Sequence, residues 1–245
     1  MLPLDHIPFY SPDPEALADG FARLGFTLSP PSRYTAPEHP EAGWRGRCVF
    51  TRDGWFDLLH GERPRTPGAP MSVLFRTQEL AATRRELAAL NPEAPFQLER
   101  AWADDDSLPH ERFAYSGLRS RIAPLVLAVI QHAWPCVDLL PAWQEHANGA
   151  QAVTALIFGG EAPGPAAATA ARFLDHKALE YWPQAAFDDA FPGAKVRRAV
   201  RVRVADLAAT AATLTAAGAP FAEMESGSLA VPPQFGVEAG FLFSA

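Results

Sequence analysis

The sequence predicts an α+β fold made of repeated units, each a strand, a helix and further strands. Three observations carry this expectation. Shifting the chain by 193 positions lays Asp13 on Asp206 and Gly25 on Gly218, and both pairs bracket an apolar-periodic helix preceded by a strand. A shift of 66 positions lays Asp13 on Glu79 and Gly25 on Asn91. Finally, Asp53-Gly54 separates two β-rich runs, a strong hairpin signal because both turn residues tolerate positive φ. The matching ends share one physical logic: an acidic residue near a helix start, and Gly or Asn where the chain leaves the helix left-handed. Repetition of this kind shapes the expected architecture before any single residue is interpreted.

Leu4 to Phe9 reads as the opening strand, Pro12-Asp13-Pro14 as a helix start, and Leu24-Gly25-Phe26 as its end. A polar stretch from Ser29 to Trp44 follows, then strands at Arg47–Thr51 and Trp55–Leu59 around the Asp-Gly turn. The second unit runs from about Met71 to His132, with a helix over Glu79–Leu90 and extended pieces near 96–101, 112–118 and 125–132. Asp104-Asp105-Asp106 reads as a solvated loop. A connector rich in Pro and Trp, 133–148, divides the chain, giving expected domains of 1–148 and 149–245. The third unit opens with a strand at Ala152–Phe158 and a helix from about Pro165 to Leu174, and is the degenerate copy; Tyr181–Phe191 reads as irregular. The fourth, Val196–Ala245, is clear, and the alternation from Val200 to Val204 sets three valines against two arginines.

Bulk properties narrow the function classes. Charged residues make up 20% and hydrophobic ones 48%, a globular balance. Net charge is −7 with no dense Lys/Arg run, which argues against nucleic acid or an anionic membrane as partner. Cys48 and Cys136 form no paired motif, so a reducing compartment is expected. No signal-like segment or bilayer-length apolar run is present, and the expectation is a cytoplasmic monomer or homodimer that takes a small-molecule substrate. No phosphate-binding loop, dinucleotide fingerprint or nucleophile elbow is found.

The chain resembles the vicinal oxygen chelate superfamily, in its glyoxalase-like branch. The residues that carry the resemblance are Leu4-Asp5-His6-Ile7, the Asp13-Pro14 helix start, Leu24-Gly25-Phe26, Asp53-Gly54-Trp55-Phe56-Asp57-Leu58-Leu59, Gln131-His132 and His146-Ala147-Asn148-Gly149-Ala150. The resemblance implies tandem βαβββ modules forming mixed, half-open β-barrel cups flanked by helices. It also implies a divalent metal (Zn, Fe, Mn or Ni) in a cup, chelated by neighbouring oxygens of a substrate, in lyases, isomerases and dioxygenases. Other members bind ligands with no metal, which is the competing expectation for this chain: a binding or sequestration protein.

Carried onto this sequence, the resemblance makes His6, Asp57 and His132 the expected metal ligands of the N-terminal cup. An imidazole suits such ions, and two histidines with one carboxylate leave positions for substrate oxygens. For each residue an ordinary alternative stands: a hydrogen-bonded pocket histidine at His6, an ion pair of Asp57 with Arg45 or Arg47, and a solvent-facing strand end at His132. Strand parity places His6 on one face with Leu4, Pro8 and Tyr10. His146, beside Trp143 and Gln144, is the candidate proton-moving base or a cap on the cup mouth. Tyr10, Trp55 and Asn148 are candidate substrate contacts, with Phe75 and Trp134 as further lining, and Asn148-Gly149 is also a turn device. Units three and four lack ligand residues on the corresponding strands and are expected to be structural.

Overall fold

The structure is a computed structural model, and it describes residues 1–36, 39–61, 67–70, 72–102, 111–122, 125–133, 141–160 and 175–245. The first module contains β1 (Leu4–Ser11), helix α1 (Pro14–Arg23), β2 (Ser32–Ala36), β3 (His39–Phe50), β4 (Trp55–His60) and the short β5 (Ala69–Pro70). The second contains β6 (Ser72–Arg76), α2 (Leu80–Glu86), a 3₁₀ turn (Ala88–Leu90), β7 (Phe96–Trp102), β8 (Glu111–Ile122) and β9 (Leu125–His132). The expected strand-and-helix order holds in both. The polar stretch after α1 differs: strands β2 and β3 run through it, because backbone pairing of Ser32–Tyr34 with Trp44–Gly46 needs no apolar pattern.

The helix ends follow the repeat. Asp13 caps α1, its carboxylate accepting from the Ala16 N–H at 3.0 Å, and Gly25 leaves the helix at φ 85°. In α2 the equivalent Glu79 makes no side-chain cap; Gln131 supplies it from β9, its amide oxygen accepting from the Leu80 N–H at 2.8 Å. Asn91 takes the left-handed exit at φ 45°, where an Asn is tolerated.

Pairings between modules close the N-terminal sheet into a ring. The order is β4-β3-β2-β7-β8-β9-β6-β1, and β1 pairs in parallel with β4 to complete it. Opening strands β1 and β6 meet at one seam and second strands β2 and β7 at the other, so the expected cup has a closed wall. Inside lie Tyr34, Ala36, Leu59, Leu74, Leu98, Ala128 and Ile130. Outward-facing Ile7, Phe9, Phe56, Val73 and Phe75 join the main core with Leu17 and Phe21 of α1. Phe75 therefore packs outside the barrel and not in the lining where it was expected, while Leu74 faces inward as strand parity places it.

The C-terminal half forms a second, open sheet, in the order β11 (Leu179–Trp182), β10 (Ala150–Gly159), β12 (Arg198–Val204), β15 (Gly240–Ser244), β14 (Leu229–Val231), β13 (Ala222–Glu223). Val200, Val202, Val204, Phe241 and Phe243 turn toward the first module, and the Phe241 ring packs edge-on against Phe21 and Phe56. Helix α4 (Leu207–Ala216) is capped by Asp206, which accepts from the Ala208 and Ala209 N–H groups. The segment expected to be irregular is ordered: it forms β11 and helix α3 (Gln184–Ala190), whose Phe187 and the following Phe191 pack on Ile157, Ala199, Ala230 and Leu242. That helix covers the face which in the N-terminal module is turned into the barrel interior. The Pro165–Leu174 helix, Trp134 and the triple aspartate lie outside the described residues. Among the described residues no helix is long and apolar enough to cross a membrane.

Gly159 and Gly240 give those two rings their room, since a Cβ at either position would overlap Phe187 or Phe191. Gly159→Ala is expected to lower stability by about 1–3 kcal/mol through overpacking. Urea unfolding should show this as a lower midpoint at unchanged slope.

Candidate functional site

A β-bulge builds the first polar cluster. Along the β1–β6 seam the register passes from Leu4↔Phe75 to His6↔Leu74, two steps on one strand against one on the other, so Asp5 is the extra residue. Leu4 consequently turns outward into the core with Phe75, correcting the strict-parity expectation, while Asp5 swings its carboxylate toward the histidines. Asp5 Oδ1 lies 2.6 Å from His6 Nδ1, and His132 Nε2 approaches the same carboxylate at 3.2 and 3.3 Å. His6 and His132, distant in sequence, thus meet on one carboxylate. Burial pushes the Asp5 carboxyl up, but the hydrogen bonds and charge of His132 and His6 outweigh it and hold it well below the usual carboxylate range. The His6 ring stacks on Trp55 at 4.1 Å, its cross-strand neighbour on β4.

The second cluster centres on Asp57. It sits two residues beyond Trp55 on β4, on the same inward face as His6. The Tyr34 hydroxyl lies 2.9 Å from each Asp57 oxygen, and the Cys48 thiol lies at 3.6 Å. Arg100 on β7, paired with Tyr34 across the second seam, donates from one Nη to the Tyr34 hydroxyl and to Cys48 Sγ, each at 3.0 Å. Four rings surround its guanidinium: Trp55, Trp102, Phe50 and Tyr34, at 4.9, 5.1, 5.2 and 5.6 Å. Burial pushes the Asp57 carboxyl up, against the lowering influence of His6, Arg100 and the two hydrogen bonds. Burial also drives the Cys48 thiol to about 12, which makes it an inert packing group. Burial works against the Arg100 charge, yet Tyr34, Cys48 and Asp57 overcompensate and keep it protonated.

Arg100 is the residue that the sequence reading missed. The proposed partner Arg47 instead binds Glu15 at 2.9 Å. The signal was present in β7: Leu98, Arg100 and Trp102 alternate on one face, which puts a cation on an apolar stripe.

Other expected site residues have structural employment. His146 Nδ1 accepts from the Thr27 N–H at 2.9 Å and Nε2 lies 2.8 Å from the Phe50 carbonyl, so both ring nitrogens are used and neither can take a substrate proton. In place of the expected role as a base, it ties the connector to the first module. Asn148 is fully buried, donates to the Leu24 carbonyl at the end of α1 and accepts from the Ala150 N–H, so it is a helix cap and not a substrate contact. Trp143 packs on Trp102 and Phe50. Tyr10 packs against the interior apolar cluster, and Trp55 is part of both polar clusters' walls.

The residues present do not fit the implied divalent ion. His6 and His132 converge on Asp5, whereas Asp57 is bound by Tyr34 within the field of the Arg100 cation. Among the described residues no three of His, Cys, Asp and Glu are arranged to hold an ion.

A sequence profile described as "Glyoxalase-like domain" matches residues 4–174. The chain belongs to this family. With it the chain joins the vicinal oxygen chelate superfamily. No curated protein matches it in sequence. Among solved structures, a triple mutant of 4-hydroxymandelate synthase from Streptomyces coelicolor superposes with a TM-score of 0.56 at 11% identity, over 99% of this chain and 92% of that one. A xylose isomerase-like TIM barrel/4-hydroxyphenylpyruvate dioxygenase fusion protein gives 0.51 at 10% identity, over 98% of this chain and 48% of that one. This chain therefore spans about half of the fusion protein. At such identities the likeness shows the glyoxalase-like fold alone.

Removing one member of a buried charged network strands the others, so Arg100→Met is expected to cost about 3 kcal/mol in urea unfolding. Burial holds the His146 imidazole below its ordinary value of 6.5, opposed by the Phe50 carbonyl. The unfolded chain therefore takes up a proton near pH 6.5 that the folded chain resists. The contribution is complete above that pH and declines as pH falls below it. Unfolding midpoints should drop more steeply between neutral and mildly acidic pH in the wild type than in His146→Gln.

Proposed function

We propose that this glyoxalase-like protein binds a small oxygen-bearing organic molecule in the barrel of residues 1–148 and moves a proton to or from it with His6. Residues 149–245 would serve as the supporting half, since helix α3 occupies their corresponding face. The reaction class that follows is a lyase or isomerase step through an enolate-like intermediate.

The observation that carries this reading is the Asp5–His6 contact at 2.6 Å. A buried carboxylate on Nδ1 fixes the tautomer that keeps a proton there, so the Nε2 lone pair is the one available to a substrate. The same carboxylate stabilises the imidazolium that forms when Nε2 takes a proton. Stacking on Trp55 restricts the ring further, and pre-positioned groups of this kind contribute to catalysis by orientation. Arg100 and Asp57, bridged by Tyr34, set an oriented charge pair inside the barrel, whose positive end would favour developing negative charge on a bound oxygen. The alternative of a sequestration protein uses the same interior with no proton transfer.

Carbon-bound hydrogen exchange tests the proposal. A panel of 2-oxo acids and α-hydroxyketones is incubated with the protein in D₂O and followed by proton NMR. Accelerated loss of the α-proton signal is expected for at least one compound, falling about 10²–10⁴-fold in His6→Gln, as for removal of a general base. Equal exchange by wild type and His6→Gln sinks the assignment of His6. Protection-free binding without exchange favours sequestration.

A further inference from the structure

We infer that the Arg100 guanidinium is the resident cation of this barrel and takes the electrostatic place of a divalent metal, so that the site works without one. The inference rests on the barrel interior being the functional site, and it adds how that site is charged.

A metal site needs lone pairs that converge, yet here His132 Nε2 is drawn to Asp5 and both oxygens of Asp57 lie at 2.9 Å from the Tyr34 hydroxyl, so only His6 Nε2 of the three expected ligands stays open. The hydroxyl is itself held by Arg100 at 3.0 Å, which makes guanidinium, phenol and carboxylate one chain of hydrogen bonds. Arg100 is 2% exposed and boxed by four aromatic rings, a geometry that stabilises a cation by its ring faces and blocks its withdrawal to solvent. Arg100 lies opposite Tyr34 in the β2–β7 pairing that closes the barrel wall, so the cation is set by the fold's own seam.

Electrostatics then opposes a second cation. A divalent ion brought to Asp57 would face the guanidinium in a medium far less screening than water, weakening its binding by at least about tenfold. The arginine cannot be deprotonated to relieve the conflict. A carboxylate or enolate oxygen of a ligand would meet the positive end of the Arg100–Asp57 pair, with no metal to load.

Cobalt(II) is the probe. Protein made without a histidine tag is stripped with EDTA and titrated with Co²⁺, followed by visible absorption and by metal analysis after dialysis. Wild type is expected to show no saturable uptake below about 1 mM, while folded Arg100→Met and Arg100→Gln gain at least about tenfold in Co²⁺ affinity, reversed by adding His6→Ala. One equivalent bound by wild type and lost in His6→Ala overturns the inference, as do folded Arg100 variants with no gain. Should neither variant fold, the wild type decides alone: no Co²⁺ uptake below about 1 mM upholds the inference, and saturable uptake overturns it. Hydrogen exchange by the stripped wild type is read in parallel. Absent exchange without Co²⁺ uptake removes the proton-transfer reading and leaves this inference standing; exchange that needs Co²⁺ does the reverse.

Discussion

A charged guanidinium sealed away from water must find compensation on every side, and the interior of the N-terminal barrel is organised around meeting that demand for Arg100. Transferring such a group into an apolar interior unpaired is prohibitive, so its partners are not free to vary independently. Tyr34 passes the interaction on to Asp57, Cys48 offers its sulfur, and four aromatic faces enclose the remaining surface. These residues come from β2, β3, β4 and β7, which means that the cluster reports on the closure of the whole barrel wall and not on one hairpin. The chemistry assigned to His6 lies next to this cluster, sharing Trp55 as a common wall.

The two halves of the chain use one plan for different ends. In the first, two modules pair through β1–β6 and β2–β7 and leave an interior where polar groups can meet. In the second, an open sheet receives α3, and Phe187 and Phe191 occupy the matching face through gaps left by Gly159 and Gly240. A duplicated scaffold can thus carry one interior lined with polar groups and one face filled by aromatic rings. The filled half contributes its other face, with Phe241 and Phe243, to the core beneath α1.

Much of this was legible in the amino-acid sequence, for reasons that are physical. Strand β12 announces itself through Val200, Val202 and Val204, and the helix ends through Asp13, Asp206, Gly25 and Gly218, because alternation and capping are local rules. The resemblance pointed to His6, Asp57 and His132, and all three are inside or at the mouth of the barrel. What local rules could not supply was the partner of each. The bulge at Asp5 depends on register against β6, and it reversed the facing of Leu4. Arg100 meets Asp57 only after β2 and β7 pair, a contact set by the closed ring. His146 and Asn148 sit in a motif that suggests chemistry, yet the folded chain spends their polar atoms on Thr27, Phe50, Leu24 and Ala150.

Arg100 and Asp57 act as one energetic unit through Tyr34. A double-mutant cycle between Arg100→Met and Asp57→Asn, read as unfolding free energies, measures that coupling directly. An interaction of about 1–3 kcal/mol is expected, the double variant being more stable than the sum of the single losses implies. Additivity within about 0.5 kcal/mol would contradict it, because the two groups would then be independent occupants of the same interior.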